Sequence, residues 1–181
     1  MVDVTGVVLV EGTSDKIALE TLAERRGHHL AAEGISIVAM GGAQAIGGFL
    51  ERFRGLRLAG LCDSGEEREF QRGLERAGLG SNLDRAGMEE LGFYVCDPDL
   101  EAELIRALGA ERVLEMLEAH GDLPPFRTLQ KQVEWRGRPI EEQLRRYMGS
   151  GGSRKTRYAR YLVEALDPHE VPRPLDRLIA V

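Results

Sequence analysis

Hydrophobic positions along this chain fall into two regimes. From the start to Cys96, short apolar runs alternate with stretches in which apolar residues recur at helical spacing. Val4–Val10, Ile35–Met40, Leu56–Cys62 and Phe93–Cys96 predict strands. The unbroken apolar, β-branched run Val7–Val10 marks a strand covered on both faces, as in a parallel sheet. Asp15–Arg26 predicts a helix with Ile17, Ala18, Leu19, Leu22 and Ala23 on one side and Thr13 or Ser14 as its N-cap. Gly41-Gly42 turns the chain into a second helix through Arg52, which carries Ile46, Phe49 and Leu50. A polar helix runs from beyond Asp63 to about Ala77, and the loop Gly78–Asn82 leads to a further helix start near Ser81 or Asp84. Strands separated by helices of about ten residues imply right-handed crossovers, so the expected fold is α/β with a mainly parallel four-stranded sheet flanked by helices.

Beyond Leu100 the pattern becomes helix after helix: Leu100–Leu108, Ala110–Ala119, Phe126–Trp135, Ile140–Met148 and Arg154–Leu166. Gly121 to Pro125 breaks the chain between the second and third of these, and Gly149–Gly152 reads as a hinge ahead of Ser153-Arg154-Lys155. Pro168–Val181, with Pro172 and Pro174, is expected to wrap back in extended form. The division this suggests is an α/β catalytic domain over residues 1–120 and a basic helical extension over 121–181, packed on the same domain.

Composition narrows the class. No apolar run approaches a membrane span and no basic stretch precedes a long apolar core at the N-terminus, so neither membrane insertion nor a signal peptide is expected, and the location reads as cytoplasmic. Cys62 and Cys96 both end apolar runs and lack the paired spacing of a thiolate metal site. Buried thiols of a reducing compartment are the reading. Trp135, Tyr147, Tyr158 and Tyr161 fall at helical spacing with leucines, which predicts core packing. The net charge of −6 is unevenly spread: residues 127–161 hold ten Lys and Arg against three Glu, a balance of +7 that leaves −13 for the rest. An acidic half beside a basic half suits a metal-dependent enzyme acting on a polyanion; a solvated helical face laced with i,i+4 pairs is the alternative for the basic stretch.

The acidic half has a specific arrangement. Glu11 closes the first strand, Asp63 the third, and Asp97 and Asp99 follow the fourth. In a parallel sheet those ends share one edge, where open α/β sheets bind ligands. Asp15 lies in the first turn of the following helix, Glu66 and Glu67 follow Asp63, and Glu101 and Glu103 follow Asp99. Helix dipoles account for some acids near N-termini, but not for Glu11 and Asp63 at the strand ends themselves. Carboxylates converging in one crevice raise each other's pKa, and a divalent cation removes the conflict. Oxygen-only ligands favour Mg²⁺, Mn²⁺ or Ca²⁺ over zinc. Two clusters, Glu11/Asp15 with Asp63/Glu67 and Asp99/Glu101, could hold the two ions of phosphodiester cleavage.

Glu11-Gly12 after an apolar strand, Gly41-Gly42 after the second and Asp63 after the third resemble the Toprim domain of topoisomerases, primases and OLD-family (overcoming lysogenization defect) nucleases. The usual third motif is Asp-x-Asp, whereas Asp63-Ser64-Gly65 has glycine at the second acid. That departure counts against topoisomerase and primase and suits the OLD-family nucleases. Their pattern resembles Glu11-Gly12-Thr13-Ser14-Asp15, Asp63 with Glu66 and Glu67, Asp99-Leu100-Glu101 and the late Lys155. The resemblance covers most of residues 4–165 and implies a Toprim-like, Rossmann-like fold with a helical C-terminal extension. It implies Glu11, Asp15, Asp63, Asp99 and Glu101 as metal ligands, with Glu67 or Glu66 completing one site. It implies Lys155 as the cation that stabilises charge on the scissile phosphate.

The activity expected is two-metal hydrolysis of nucleic-acid phosphodiester bonds, of DNA rather than RNA, with Mg²⁺ or Mn²⁺ as cofactor and Ca²⁺ as a non-productive occupant. Arg154, Arg157 and Arg160 are expected on nucleic-acid phosphates. The sequence has no Gly-x-x-x-x-Gly-Lys-(Ser/Thr) loop, so ATP hydrolysis would need a separate ATPase subunit. Two alternatives stay open: a non-catalytic Toprim-fold module that binds nucleic acid or protein, and a metal-dependent phosphoryl or nucleotidyl transferase acting on a small molecule.

Overall fold

The computed structural model describes residues 3–180. Four strands, β1 (Gly6–Val10), β2 (Ile35–Ala39), β3 (Arg57–Asp63) and β4 (Phe93–Cys96), form one wholly parallel sheet in the order β2-β1-β3-β4. Between them run α1 (Thr13–Arg25), α2 (Ile46–Arg52), α3 (Glu67–Arg76) and α4 (Arg85–Glu90), with short 3₁₀ turns at Ala43–Ala45 and Ser64–Glu66 leading into α2 and α3. The helical half comprises α5 (Leu100–Leu108), α6 (Ala110–Ala119), α7 (Leu123–Lys131), α8 (Ile140–Gly149), α9 (Gly152–Ala165) and α10 (Arg173–Ile179).

Strand alternation divides the core in two. Val7 and Leu9 of β1 face one side, packed with Ile46, Leu50, Phe70, Leu74 and Met88 of α2, α3 and α4. Val8 and Val10 face the other, packed with Leu19 and Leu22 of α1, Leu104 of α5 and Leu162 of α9. Successive strand residues point to opposite faces, so a strand covered on both must be apolar throughout, and all five residues of β1 are buried. α1 and α2 therefore lie on opposite faces, and the chain leaves β1 toward β2 and returns past it to β3. That reversal sets the crevice between the carboxyl ends of β1 and β3.

Three local expectations are corrected. The helix expected over Phe126–Trp135 begins earlier, with Pro124 and Pro125 in its first turn, where a missing N–H breaks no helical bond, and it stops at Lys131, after which Gln132 takes extended backbone. Trp135 consequently leaves the helix for a loop, and it joins neither apolar core. The tail is not extended: Pro174 starts α10, which buries Leu175, Leu178 and Ile179. Arg173 clamps α10 to α4 through two contacts of 2.6 Å with Glu89. Val181 lies outside the described residues. At the start of α1 the N-cap is Gly12 rather than Thr13 or Ser14, and Asp15 accepts the Gly12 N–H at 2.8 Å.

Both cysteines are buried and free, as expected. Among the described residues no helix is long and apolar enough to cross a membrane.

Gly60 sets the packing distance at the centre of the sheet. A Cβ there would stand 2.6 Å from Phe93 Cδ1 and 2.9 Å from the Leu9 carbonyl oxygen. Gly60→Ala is expected to lower stability by about 1–3 kcal/mol through overpacking, read as a shift in the urea midpoint with unchanged slope. An unshifted midpoint would contradict this account of the β3–β4 contact.

Candidate metal centre

The site is built at the carboxyl edge of the sheet, where β1 and β3 are neighbours. Glu11 follows β1 directly, and its Oε1 accepts the backbone N–H of Asp63, the last residue of β3, at 2.8 Å. The Glu11 carbonyl accepts the N–H groups of Gly41 and Gly42 at 3.0 Å each. Those two residues have φ of +80° and +128°, which explains the glycine pair after β2. Asp15, in the first turn of α1, is 9% exposed, and the Gly12 N–H holds its carboxylate. Asp99 caps α5, accepting the Ala102 N–H at 2.9 Å on one oxygen and Arg145 Nε at 2.6 Å on the other. Glu101, in the first turn of α5, is 6% exposed. Lys155 of α9 brings its Nζ to 3.3 Å from Glu101 Oε1, an ion-pair distance without hydrogen-bond alignment, so that buried oxygen lacks a hydrogen-bond donor.

The electrostatics follow from this crowding. Burial first, and then the charges of Glu11, Asp15, Asp99 and Glu101, together raise the Asp63 carboxyl to about 8. Burial likewise lifts Asp15 to about 6, against the pull of the Gly12 N–H and Lys155. Glu11 is raised by burial and by Asp15 and Glu66, less the benefit of its bond from Asp63. Burial opposes the Lys155 ammonium, but Glu101 and Asp15 outweigh it and its pKa stands above the ordinary lysine value. With all five carboxylates ionised, Lys155 and Arg145 leave three negative charges uncompensated.

The remaining expected residues lie elsewhere. Glu67 is held by Arg85, whose Nη2 and Nε reach one carboxylate oxygen at 2.6 and 3.2 Å. Arg85 also contacts Asp97 at 3.2 Å. Glu66, one residue earlier, bears on Glu11 through its charge. Arg154 closes the end of α8: its Nη1 reaches Ser150 Oγ at 3.0 Å and its guanidinium lies 4.1 Å from the Tyr147 ring centroid. Arg157 contacts Asp122 at 3.5 Å and Arg160 contacts Glu164 at 2.8 Å, both at the surface. Two and five residues beyond Lys155, they point round α9 away from it. Arg85 and Arg145 are the cations that sequence reasoning missed. Arg145 stands 46 residues from its partner Asp99, and no local spacing signals that pairing.

Among the described residues no three of these side chains converge tightly enough to close on an ion as they stand. The donor set nevertheless fits a hard divalent cation in kind: oxygen ligands only, an excess of negative charge, and a buried carboxylate oxygen lacking a donor.

An acidic, parallel-stranded α/β edge with a lysine delivered from a late helix is the arrangement that the Toprim resemblance implied. Residues 4–62 match the model of the "Overcoming lysogenization defect protein-like, TOPRIM domain" family. The likeness in fold reaches further. The C-terminal region of the Xanthomonas campestris pv. campestris OLD protein superposes with a TM-score of 0.73 at 23% identity, over 97% of this chain and 93% of that one. The C-terminal region of the Burkholderia pseudomallei OLD protein gives 0.73 at 19% identity, over 98% and 96%. At these identities the likeness shows the fold. A search of curated proteins finds no match.

The raised carboxyls have a thermodynamic consequence. Between the ordinary aspartate value of 3.8 and about 8, the folded state holds more protons at Asp15 and Asp63 than the unfolded chain does. Their contribution is therefore most favourable at low pH and is lost as pH rises through that window. In EDTA the melting temperature is expected to fall from pH 5 to pH 8, and Asp63→Asn to flatten the fall. Millimolar Mn²⁺ should restore several degrees at pH 8 and little at pH 5. A melting temperature that ignores Mn²⁺ at pH 8 would contradict this electrostatic reading.

Proposed function

We propose that this protein hydrolyses phosphodiester bonds of DNA at the carboxyl edge of its sheet. The observation that carries the reading is Lys155 standing 3.3 Å from Glu101 within a group of carboxylates gathered from three separate strand ends. Structural ion pairs do not require five acids in one place. A polyanionic substrate and its divalent cations do.

Glu11, Asp15 and Asp63 would hold one ion, with Glu66 completing its shell while Glu67 stays with Arg85, and Asp99 with Glu101 would hold a second. Bound there, Mg²⁺ or Mn²⁺ supplies Lewis-acid stabilisation of the phosphoryl oxygens and activates the attacking water, while Ca²⁺ binds without supporting turnover. The chain's own residues do the positioning. The Asp63 N–H fixes the Glu11 carboxylate, the Ala102 N–H and Arg145 fix Asp99, and the Gly12 N–H fixes Asp15. Lys155 remains charged near neutral pH because acids surround it, and it places a fixed cation where negative charge grows on the phosphate. Arg157 and Arg160, exposed on α9 but turned away from Lys155, would meet only phosphates of a substrate that extends round that helix, without reading its sequence. Arg154 supports the α8–α9 junction from which Lys155 projects. The sequence carries no P-loop, so ATP hydrolysis, where it accompanies cleavage, is supplied by another chain or domain.

Incubation with supercoiled plasmid tests this. Nicking or linearisation is expected with Mn²⁺ or Mg²⁺ and not with EDTA or Ca²⁺. Glu11→Gln keeps an acceptor for the Asp63 N–H but loses a ligand charge, and it should reduce the rate on the order of 100-fold or more, as should Lys155→Met. Folded protein that cuts neither plasmid nor single-stranded DNA with any of these ions would refute the nuclease and leave a binding module.

A further inference from the structure

Beside the carboxylates lies a groove of about 740 Å³ that runs from Asp99, Glu101 and Lys155 to Trp135. Trp135 is half-buried in the loop between α7 and α8 and packs into neither core. A large aromatic side chain excluded from the interior contributes little to folding, yet the backbone that carries this one is pinned. Gln143, itself 5% exposed, donates to the Trp135 carbonyl at 2.7 Å, and Gln130 donates to Gln143 at 2.7 Å. Two guanidiniums attend the indole, Arg138 at 4.9 Å and Arg146 at 5.8 Å from the ring centroid. Arg138 is shared with Glu142 at 3.7 Å and the Glu134 carbonyl at 2.7 Å. Arg146, by contrast, has no carboxylate partner among the described residues. Glu141 also lines the groove, so its charge is mixed and its cations are localised around the indole and near the metal centre.

We propose that this groove binds a single-stranded segment of DNA, with one unpaired base stacked on Trp135 and the neighbouring phosphate on Arg146. The proposal rests on the reading of the adjacent edge as a DNA-cleaving site and names the form of DNA that it takes. Aromatic rings offer every base a stacking face, so such a platform favours exposed bases whatever their identity. A base inside a continuous duplex has both faces covered by its neighbours and cannot use it. Substrates with gaps, flaps, frayed ends or the unpaired segments opened by negative supercoiling would therefore be held in this groove, and a relaxed intact duplex would not. Gln143 acts as a positioning residue: by fixing the loop before the strand arrives it removes the cost of ordering the indole on binding.

Trp135 is the sole tryptophan of the chain, so its own fluorescence reports occupancy. With wild-type protein in EDTA, where cleavage is suppressed, titration with a single-stranded thymidine dodecamer is expected to quench that emission saturably. A relaxed, covalently closed duplex circle at equal nucleotide concentration, which has no unpaired base and no end, should leave it unchanged. By anisotropy of a fluorescein-labelled dodecamer, Trp135→Ala should weaken binding roughly tenfold or more and Trp135→Phe should keep most of the affinity. Arg146→Ala should weaken binding without altering the emission of the free protein's folded state, and circular dichroism checks that each variant is folded. Absence of quenching, equal quenching by the duplex, or wild-type affinity in Trp135→Ala overturns the proposal. The two readings fail separately. Metal-dependent plasmid cutting with no quenching removes the platform and keeps the nuclease. Quenching by single strands with no cutting of either plasmid or single-stranded DNA keeps the platform and removes the nuclease.

Discussion

Mutual repulsion among buried carboxylates is the constraint around which this molecule is arranged. Glu11, Asp15, Asp63, Asp99 and Glu101 meet at one sheet edge, partly out of water, where charge is costly and like charges interact strongly. A fold gains nothing in stability from such a cluster. Its persistence requires that each acid be restrained individually, and the restraints are visible: backbone N–H groups on Glu11, Asp15 and Asp99, and cations on Asp99 and Glu101. What those restraints leave uncompensated is an excess of negative charge that a divalent cation would satisfy.

The helical half makes sense in the same terms. It supplies both cations of the cluster, Arg145 from α8 and Lys155 from α9, while α5 supplies Asp99 and Glu101. α9 packs along α1, the helix that carries Asp15, with Arg25 donating to the Val163 carbonyl at 2.6 Å. The uneven charge of the sequence is therefore not a division between separate bodies. The basic stretch folds back on the acidic edge, and part of its charge is spent on the site while Arg146 remains at the groove.

Much of this was legible in the residues. The four apolar runs gave the strands, because strands covered on both faces cannot hide polar positions. Parallel pairing then placed Glu11, Asp63 and Asp99 on one edge whatever the detailed register. What escaped was set by tertiary contact. Helical spacing read Trp135 as core, but α7 ends at Lys131, where Gln132 turns to extended backbone, and Trp135 is left in a loop. The tail read as extended from its prolines, yet Pro172 and Pro174 open α10, whose apolar face had a surface to bury against. The partners of the acids were also hidden: Arg85 lies 18 residues from Glu67, and such pairings exist only once the chain has folded.

The central claim, that the carboxylate edge is a divalent-cation site whose acids are partly protonated when empty, is tested most directly by calorimetric titration of Mn²⁺ near pH 7 in buffers of different ionisation enthalpy. Because Asp63 titrates at about 8, cation binding must displace its proton, and the account predicts an observed enthalpy that varies with the buffer as about one proton is released per protein. Asp63→Asn should abolish that variation. Absence of Mn²⁺ binding, or binding whose enthalpy is the same in every buffer, would contradict the account.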